Sequence, residues 1–165
     1  MPQFNLLLVI TLLTILGGCS SESTQTDPRD LNWKEVEQQA EDTKVTMMMW
    51  MGDPLINNYM KQYVVPEGKN QLGIELEIVN GQGTQIVTTL MSELESGRSK
   101  SQIDMMWING ETFYQLRQID GLFGPFTESL PNMQFVDMEN PFIGVDFQQP
   151  VDGYEVPWGN VQFTL

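Results

Sequence analysis

Histidine is absent from the 165 residues, and cysteine occurs once, at Cys19. Within this chain that rules out Ser-His-Asp and Cys-His nucleophilic catalysis and the common zinc sites built on those ligands. With no second cysteine there is no disulfide framework. Basic residues are scarce: 8 Lys and Arg stand against 22 Asp and Glu, a net charge of −14. Such a balance argues against nucleic acid as a partner and against a basic membrane-binding face. No apolar run is long enough to span a bilayer; the most apolar stretch, residues 6–16, has eleven residues. The Gly-x-Gly at Gly81 and Gly83 lacks the third glycine of a dinucleotide fingerprint, and no Gly-Lys-Ser/Thr follows it.

The run at 6–16 has the length of a signal-peptide core. It leads into Leu16-Gly17-Gly18-Cys19, which resembles the bacterial lipobox. On that reading residues 1–18 are a signal peptide and Cys19 carries diacylglycerol as the first residue of the mature protein. Contact with the membrane would then rest on the lipid. Residues 19–29 are polar, rich in small side chains and unpatterned, which suits a flexible tether. From Asp30, taken as an N-cap, Trp33, Val36 and Ala40 recur at helical spacing.

Residues 30–165 then alternate between strand and helix patterns. Residues 45–51 (Val-Thr-Met-Met-Met-Trp-Met) form a buried run closed by Gly52-Asp53-Pro54, where Asp53 can cap a helix and Pro54 can open it. Leu55, Ile56, Tyr59, Met60, Tyr63 and Val64 define that helix's inner face, and Pro66 is expected to end it. Ile74, Leu76 and Ile78 alternate with Glu75 and Glu77, predicting a half-exposed edge strand. After Asn80-Gly81-Gln82-Gly83 comes a helix with Ile86, Val87, Leu90, Met91 and Leu94 inward and Gly97 as its stop.

The run from Ile103 to Ile108 is too continuously apolar for a strand with one wet face, so it predicts a parallel strand covered on both sides. Asn109 is placed to cap the next helix, which carries Phe113, Leu116 and Ile119 and closes at Asp120-Gly121. This order implies right-handed crossovers and an α/β lobe with a mostly parallel sheet flanked by helices. Beyond residue 126 the pattern loosens. Asp152-Gly153 predicts a tight turn, and residues 154–156 and 161–165 read as strands on either side of Pro157-Trp158-Gly159. The chain ends inside that last apolar segment, as a truncated sequence would.

Four segments, taken in order, are Trp50-Met51-Gly52 with Ile56-Asn57-x-Tyr59; Trp107-Ile108-Asn109-Gly110-Glu111-x-Phe113; Leu122-Phe123-Gly124-Pro125-Phe126; and Gly153-Tyr154-Glu155-x-Pro157-Trp158-Gly159-x-x-Gln162-Phe163. Together they resemble the extracellular solute-binding lipoproteins of bacterial ABC importers, in particular the YnjB-type branch. Met51 and Asp53 stand where relatives tend to have glycine or another small residue. The resemblance implies a periplasmic-binding-protein-like architecture of two α/β lobes joined by hinge strands, with a solute trapped between them for delivery to a membrane permease. Only the first lobe and the start of the hinge fall within 30–165.

In open α/β sheets ligands sit beyond the carboxyl ends of the strands. The candidate ligand-binding residues are therefore Trp50, Gly52, Asp53, Gly81, Asn109, Gly110, Glu111 and Trp158, with Cys19 the lipidation site and no cofactor or metal. Trp50 and Trp158, beside glycines, suit a cleft, whereas Trp107 reads as core. Acids without Lys or Arg in the strand-end loops favour a cationic solute, such as a thiamine-like ring, or a neutral one. An alternative is a lipid-anchored enzyme using a carboxylate pair such as Asp53 and Glu111 on a glycoside, or an adhesion module. Binding is preferred to chemistry because loop acids are usually solvated or cap helices.

Overall fold

The computed structural model describes residues 26–159. The signal-peptide run, Cys19 and the strand expected at 161–165 lie outside the described residues.

Three parallel strands form the sheet in the order β2-β1-β3. The centre is β1 (Lys44–Met49), paired along its whole length with β2 (Glu75–Asn80), Lys44 opposite Glu75 and Met49 opposite Asn80. On its other side β1 pairs with the short β3 (Met105–Met106). A central strand alternates its side chains between two covered faces, which accounts for the unbroken methionine run. Met48 joins Ile86, Leu90, Ile103 and Leu116 on one face; Met47 and Met49 join Met60 on the other.

The strand covered on both sides is thus β1, and the run at 103–108 forms an edge. That run does serve both faces, Ile103, Met106 and Ile108 on one and Trp107 on the other. Met105, however, is 44% exposed, on a strand that forms an edge of the sheet. As predicted, β2 is the opposite edge, with Glu75 and Glu77 exposed and Leu76 and Ile78 turned inward.

Helix α1 (Trp33–Ala40) lies outside the core and buries none of its residues. Its N-cap is Asn32, not Asp30: Asn32 and Glu35 exchange side-chain-to-backbone bonds of 3.1 and 2.9 Å in a capping box, which a cap at Asp30 would forgo. Asp30 instead ends a short 3₁₀ turn, Pro28–Asp30.

Asp53 does cap α2 (Pro54–Tyr59), its Oδ1 accepting from the N–H of Leu55 at 2.7 Å and of Ile56 at 3.1 Å. The expectation that Pro66 ends the helix fails. A π turn, Met60–Val64, in which the Val65 N–H reaches back to the Met60 carbonyl, leads directly into α3 (Val65–Leu72). Its extra residue opens the ladder where Pro66 has no N–H to give. The helix stops instead at Gly73, φ 68°, with the Gly73 N–H on the Lys69 carbonyl at 3.1 Å. Only the stripe Ile56, Met60, Val64 faces the sheet. Leu55, Tyr59 and Tyr63, expected inside, point outward, with the two tyrosine rings stacked 5.5 Å apart.

Helix α4 (Gly83–Glu95) buries Ile86, Leu90 and Glu93, while Met91 and Leu94 stay exposed, contrary to their predicted inward place. Glu93 holds the following loop: its carboxylate accepts from Ser101 Oγ at 2.6 Å, Gln102 N–H at 3.1 Å and Arg98 Nη1 at 3.1 Å. These donors, Ser101 first, keep its pKa below the usual carboxylate value against the opposing effect of burial.

Helix α5 (Gly110–Gln118) follows β3 and buries Phe113 and Leu116 completely; Asp120, φ 52°, turns the chain two residues past its end. Two 3₁₀ turns, Thr127–Ser129 and Pro131–Phe135, precede α6 (Pro141–Gly144). A hairpin that the sequence did not announce comes next, β4 (Val145–Asp146) and β5 (Gln149–Pro150). Its turn residues Phe147 and Gln148 both have positive φ without being Gly or Asn. Residues 154–156, expected as a strand, are irregular.

Candidate functional site

Because the three strands are parallel, their carboxyl ends emerge together. β1 runs into Trp50, β2 into Gly81-Gln82-Gly83, and β3 into Trp107-Ile108-Asn109. Backbone bonds hold the three ends in register: Gly81 N–H to Met49 O at 3.0 Å and Trp107 N–H to Met48 O at 2.9 Å. Between them lies a cleft of about 350 Å³, lined by Trp50, Gly81, Gln82, Gly83, Trp107, Ile108, Asn109 and Thr112.

Its glycines permit close packing. A Cβ on Gly81 would run into the Met48 sulfur, and one on Gly83 into Thr112 Oγ1. Helices α4 and α5 can therefore bring their N-termini together at the cleft floor. Asn109 caps α5, its Oδ1 accepting from the Thr112 N–H at 3.1 Å and from Thr112 Oγ1 at 2.8 Å. The opening of α4 has no such side-chain cap.

Of the residues named from sequence, Trp50, Gly81 and Asn109 line the cleft together. Gly52 lies against the Trp50 ring, which a Cβ there would penetrate. Trp158, 51% exposed, stands with its ring 5.1 Å from that of Trp107 and tilted by 40°. Gly52, Trp158, Asp53, Gly110 and Glu111 are outside the lining. Asp53 is committed to the α2 cap; Glu111 is exposed on the first turn of α5; and the space beside Gly110 is filled by Asp146 and by Phe147, whose Cβ would be 2.5 Å away. The carboxylates Asp53 and Glu111 thus do not meet across the cleft.

Trp107, read as core, has a double role: it packs beside Met47 and Met49 and also lines the cleft. Gln82, Gly83, Ile108 and Thr112 were missed. Thr112 was discoverable, since it stands three residues after the Asn109 cap, where a capping side chain finds its partner.

Two motifs remote in sequence turn out to be one clamp. Gly153 O accepts from the N–H of Phe126 at 2.9 Å and of Thr127 at 3.3 Å. A Cβ on Gly124 would be 2.5 Å from the Tyr154 ring, and one on Gly153 would be 2.9 Å from Pro125 Cβ. The Arg117 guanidinium lies 3.7 Å from the Tyr154 ring centre and 3.6 Å from Asp152 Oδ2. Arg29 adds a bond to Gly124 O at 2.8 Å. From this clamp the chain runs through Glu155 to Trp158. Burial, and next the Asp146 carboxylate, push the Glu155 carboxyl up to about 7.

A second, larger trough of about 950 Å³ follows the polar side of α4, past Thr84, Thr88, Ser92 and Arg98. Among the described residues, no group of three or more His, Cys, Asp or Glu is placed to hold a metal ion. No helix among them is long and apolar enough to cross a membrane.

No protein-family model matches the chain, and no solved structure matches it. The chain is similar to Protein YnjB of Escherichia coli (strain K12), with 34% identity over 153 residues. That match takes in 92% of this chain but 38% of YnjB, so the chain spans well under half the length of this relative while resembling it almost from end to end.

Proposed function

We propose that this chain is the first lobe of a substrate-binding lipoprotein of an ABC importer, which captures a small solute and passes it to a membrane permease. The observation that carries the reading is the cleft at the carboxyl edge of the parallel sheet. It is lined by the aromatic rings of Trp50 and Trp107 and the amides of Gln82 and Asn109, groups suited to one wall of a solute site. The resemblance of the four segments to such receptors supports it, since Trp50, Trp107, Asn109 and Trp158 all come from them. The net charge of −14 fits a partner that is not nucleic acid. Affinity in this design comes from two walls closing on one ligand, so the lobe alone binds far more weakly than the whole receptor. Cys19 supplies the anchor on the outer side of the cytoplasmic membrane or the periplasmic side of the outer membrane.

Uptake tests the reading. Deleting the gene for the full-length protein should abolish import of one solute, with restoration by the wild type and not by Trp50→Ala. Conversion of the bound solute into a product by the purified protein, or unimpaired uptake across a broad solute panel, would overturn it.

A further inference from the structure

Among the described residues, no side chain lining the cleft is ionisable. The neighbouring acids are turned to other tasks: Asp53 caps α2 and Glu111 is exposed on the outer first turn of α5. The cationic half of the solute class expected from sequence drew in part on the acids of the strand-end loops, and neither Asp53 nor Glu111 reaches this lining.

What the wall does offer is aromatic surface and uncharged amides. Trp50, 48% exposed, lines the cleft with Trp107, and Trp158, 51% exposed and just outside the lining, stands with its ring tilted by 40° to that of Trp107. The Asn109 carbonyl oxygen is taken by Thr112, so its NH₂ is the group left for a ligand. Gln82 makes no capping bond to α4, and its amide is likewise available. A charged solute drawn into this space would give up hydration without meeting a counter-charge, and for a cation the gain of about 0.5–2 kcal/mol from a tryptophan cation–π contact is smaller than the several kcal/mol of that desolvation. A neutral ring loses little hydration and gains a flat aromatic contact. A volume of about 350 Å³ is at the small end of ligand pockets, suiting one or two rings.

We propose that this wall of the cleft selects an uncharged, ring-bearing solute, stacked flat on the exposed tryptophan faces, with its hydroxyl or carbonyl oxygens on the amides of Gln82 and Asn109. The inference rests on the solute-binding reading above and specifies the chemistry of that site.

The test uses full-length protein and an ultrafiltered yeast extract split on ion-exchange resins into uncharged, cationic and anionic pools. Tryptophan emission is titrated with each pool for wild type, Trp50→Ala, Trp158→Ala and Gln82→Ala, after thermal melts establish that the variants are folded. The expected result is a saturable change with the uncharged pool, shifted to about tenfold higher concentration by at least one tryptophan variant. A saturable response to a charged pool that the tryptophan variants weaken would overturn the inference and leave the solute-binding reading standing. A response to the uncharged pool that none of the variants alters would also overturn it, since the solute would then bind elsewhere. Silence with all three pools would count against both.

Discussion

Gly83→Ala is a small change with a large expected cost, because Gly83 is where α4 and α5 touch at the cleft floor. The new methyl would collide with Thr112 Oγ1 and stand 3.2 Å from Thr112 Cβ. Thr112 is 4% exposed and cannot swing into solvent, and its hydroxyl is tied to Asn109 Oδ1 at 2.8 Å. Overpacking a tight contact costs about 1–3 kcal/mol, and losing the hydroxyl bond adds about 0.5–1.5 kcal/mol. The sum, roughly 2–4 kcal/mol, outweighs the gain of about 0.4–1 kcal/mol from stiffening the unfolded chain. For a body of this size the net loss, about 1–3.5 kcal/mol, should lower Tm by roughly 3–15 °C. Gly97→Ala is the control: open space surrounds it, and its φ of 65° costs only about 1–2 kcal/mol. Thermal and urea unfolding of Gly83→Ala, Thr112→Ala and the double variant would form a cycle. Removing the threonine should recover at least about 1 kcal/mol of the Gly83→Ala loss. Costs that simply add, to within about 0.5 kcal/mol, would refute the steric reasoning.

Three further outcomes follow from particular groups. The Glu155 carboxyl has a folded pKa of about 7 against an ordinary 4.5, so the folded state binds the extra proton and stability falls as pH rises through that interval; Glu155→Gln should flatten this part of a Tm-versus-pH curve, and an unchanged slope would contradict it. Glu93 is the opposite case: its depressed pKa contributes stability that is present above the ordinary carboxylate pKa and lost as pH falls through the lowered value. Glu93→Gln should therefore cost about 1–3 kcal/mol at neutral pH and less in acid, measured by urea unfolding at both. Cys19→Ala should abolish acyl labelling and leave the protein unprocessed or soluble, and membrane retention after confirmed cleavage would refute the anchor.

Elements that obey local rules were legible in the sequence. The alternation of Glu75 and Glu77 with Leu76 and Ile78 announces an edge strand, and Asp53-Pro54 and Asn109 start α2 and α5 as their capping chemistry requires. What was hidden depended on tertiary choice. Two apolar stripes run along α2 and its π turn, and only packing decides that Met60 is buried while Tyr59 is not. A π turn has no composition signature, so Pro66 read as a stop. The turn at Phe147-Gln148 uses positive φ without the usual residues, which concealed the β4–β5 hairpin. For the site, parallel-sheet geometry directs attention to the strand ends, where a cleft does open, yet it does not say whether a carboxylate there faces the cleft or its own helix. Asp53 chose the helix. The clamp of Gly124 and Gly153 against Tyr154 and Pro125 joins segments that no local pattern connects.

The central claim is that the strand-end cleft is the place where this protein holds its solute. Equilibrium binding of the solute whose uptake depends on the protein tests it most directly, comparing full-length wild type, Trp50→Ala and Leu55→Ala. Leu55 is 82% exposed and outside the cleft lining, so it serves as the neutral control. The account predicts one site per molecule, unaltered solute recovered after release, affinity retained by Leu55→Ala and lowered about tenfold or more by Trp50→Ala. Equal affinity in all three proteins, or recovery of a chemically changed solute, would contradict it.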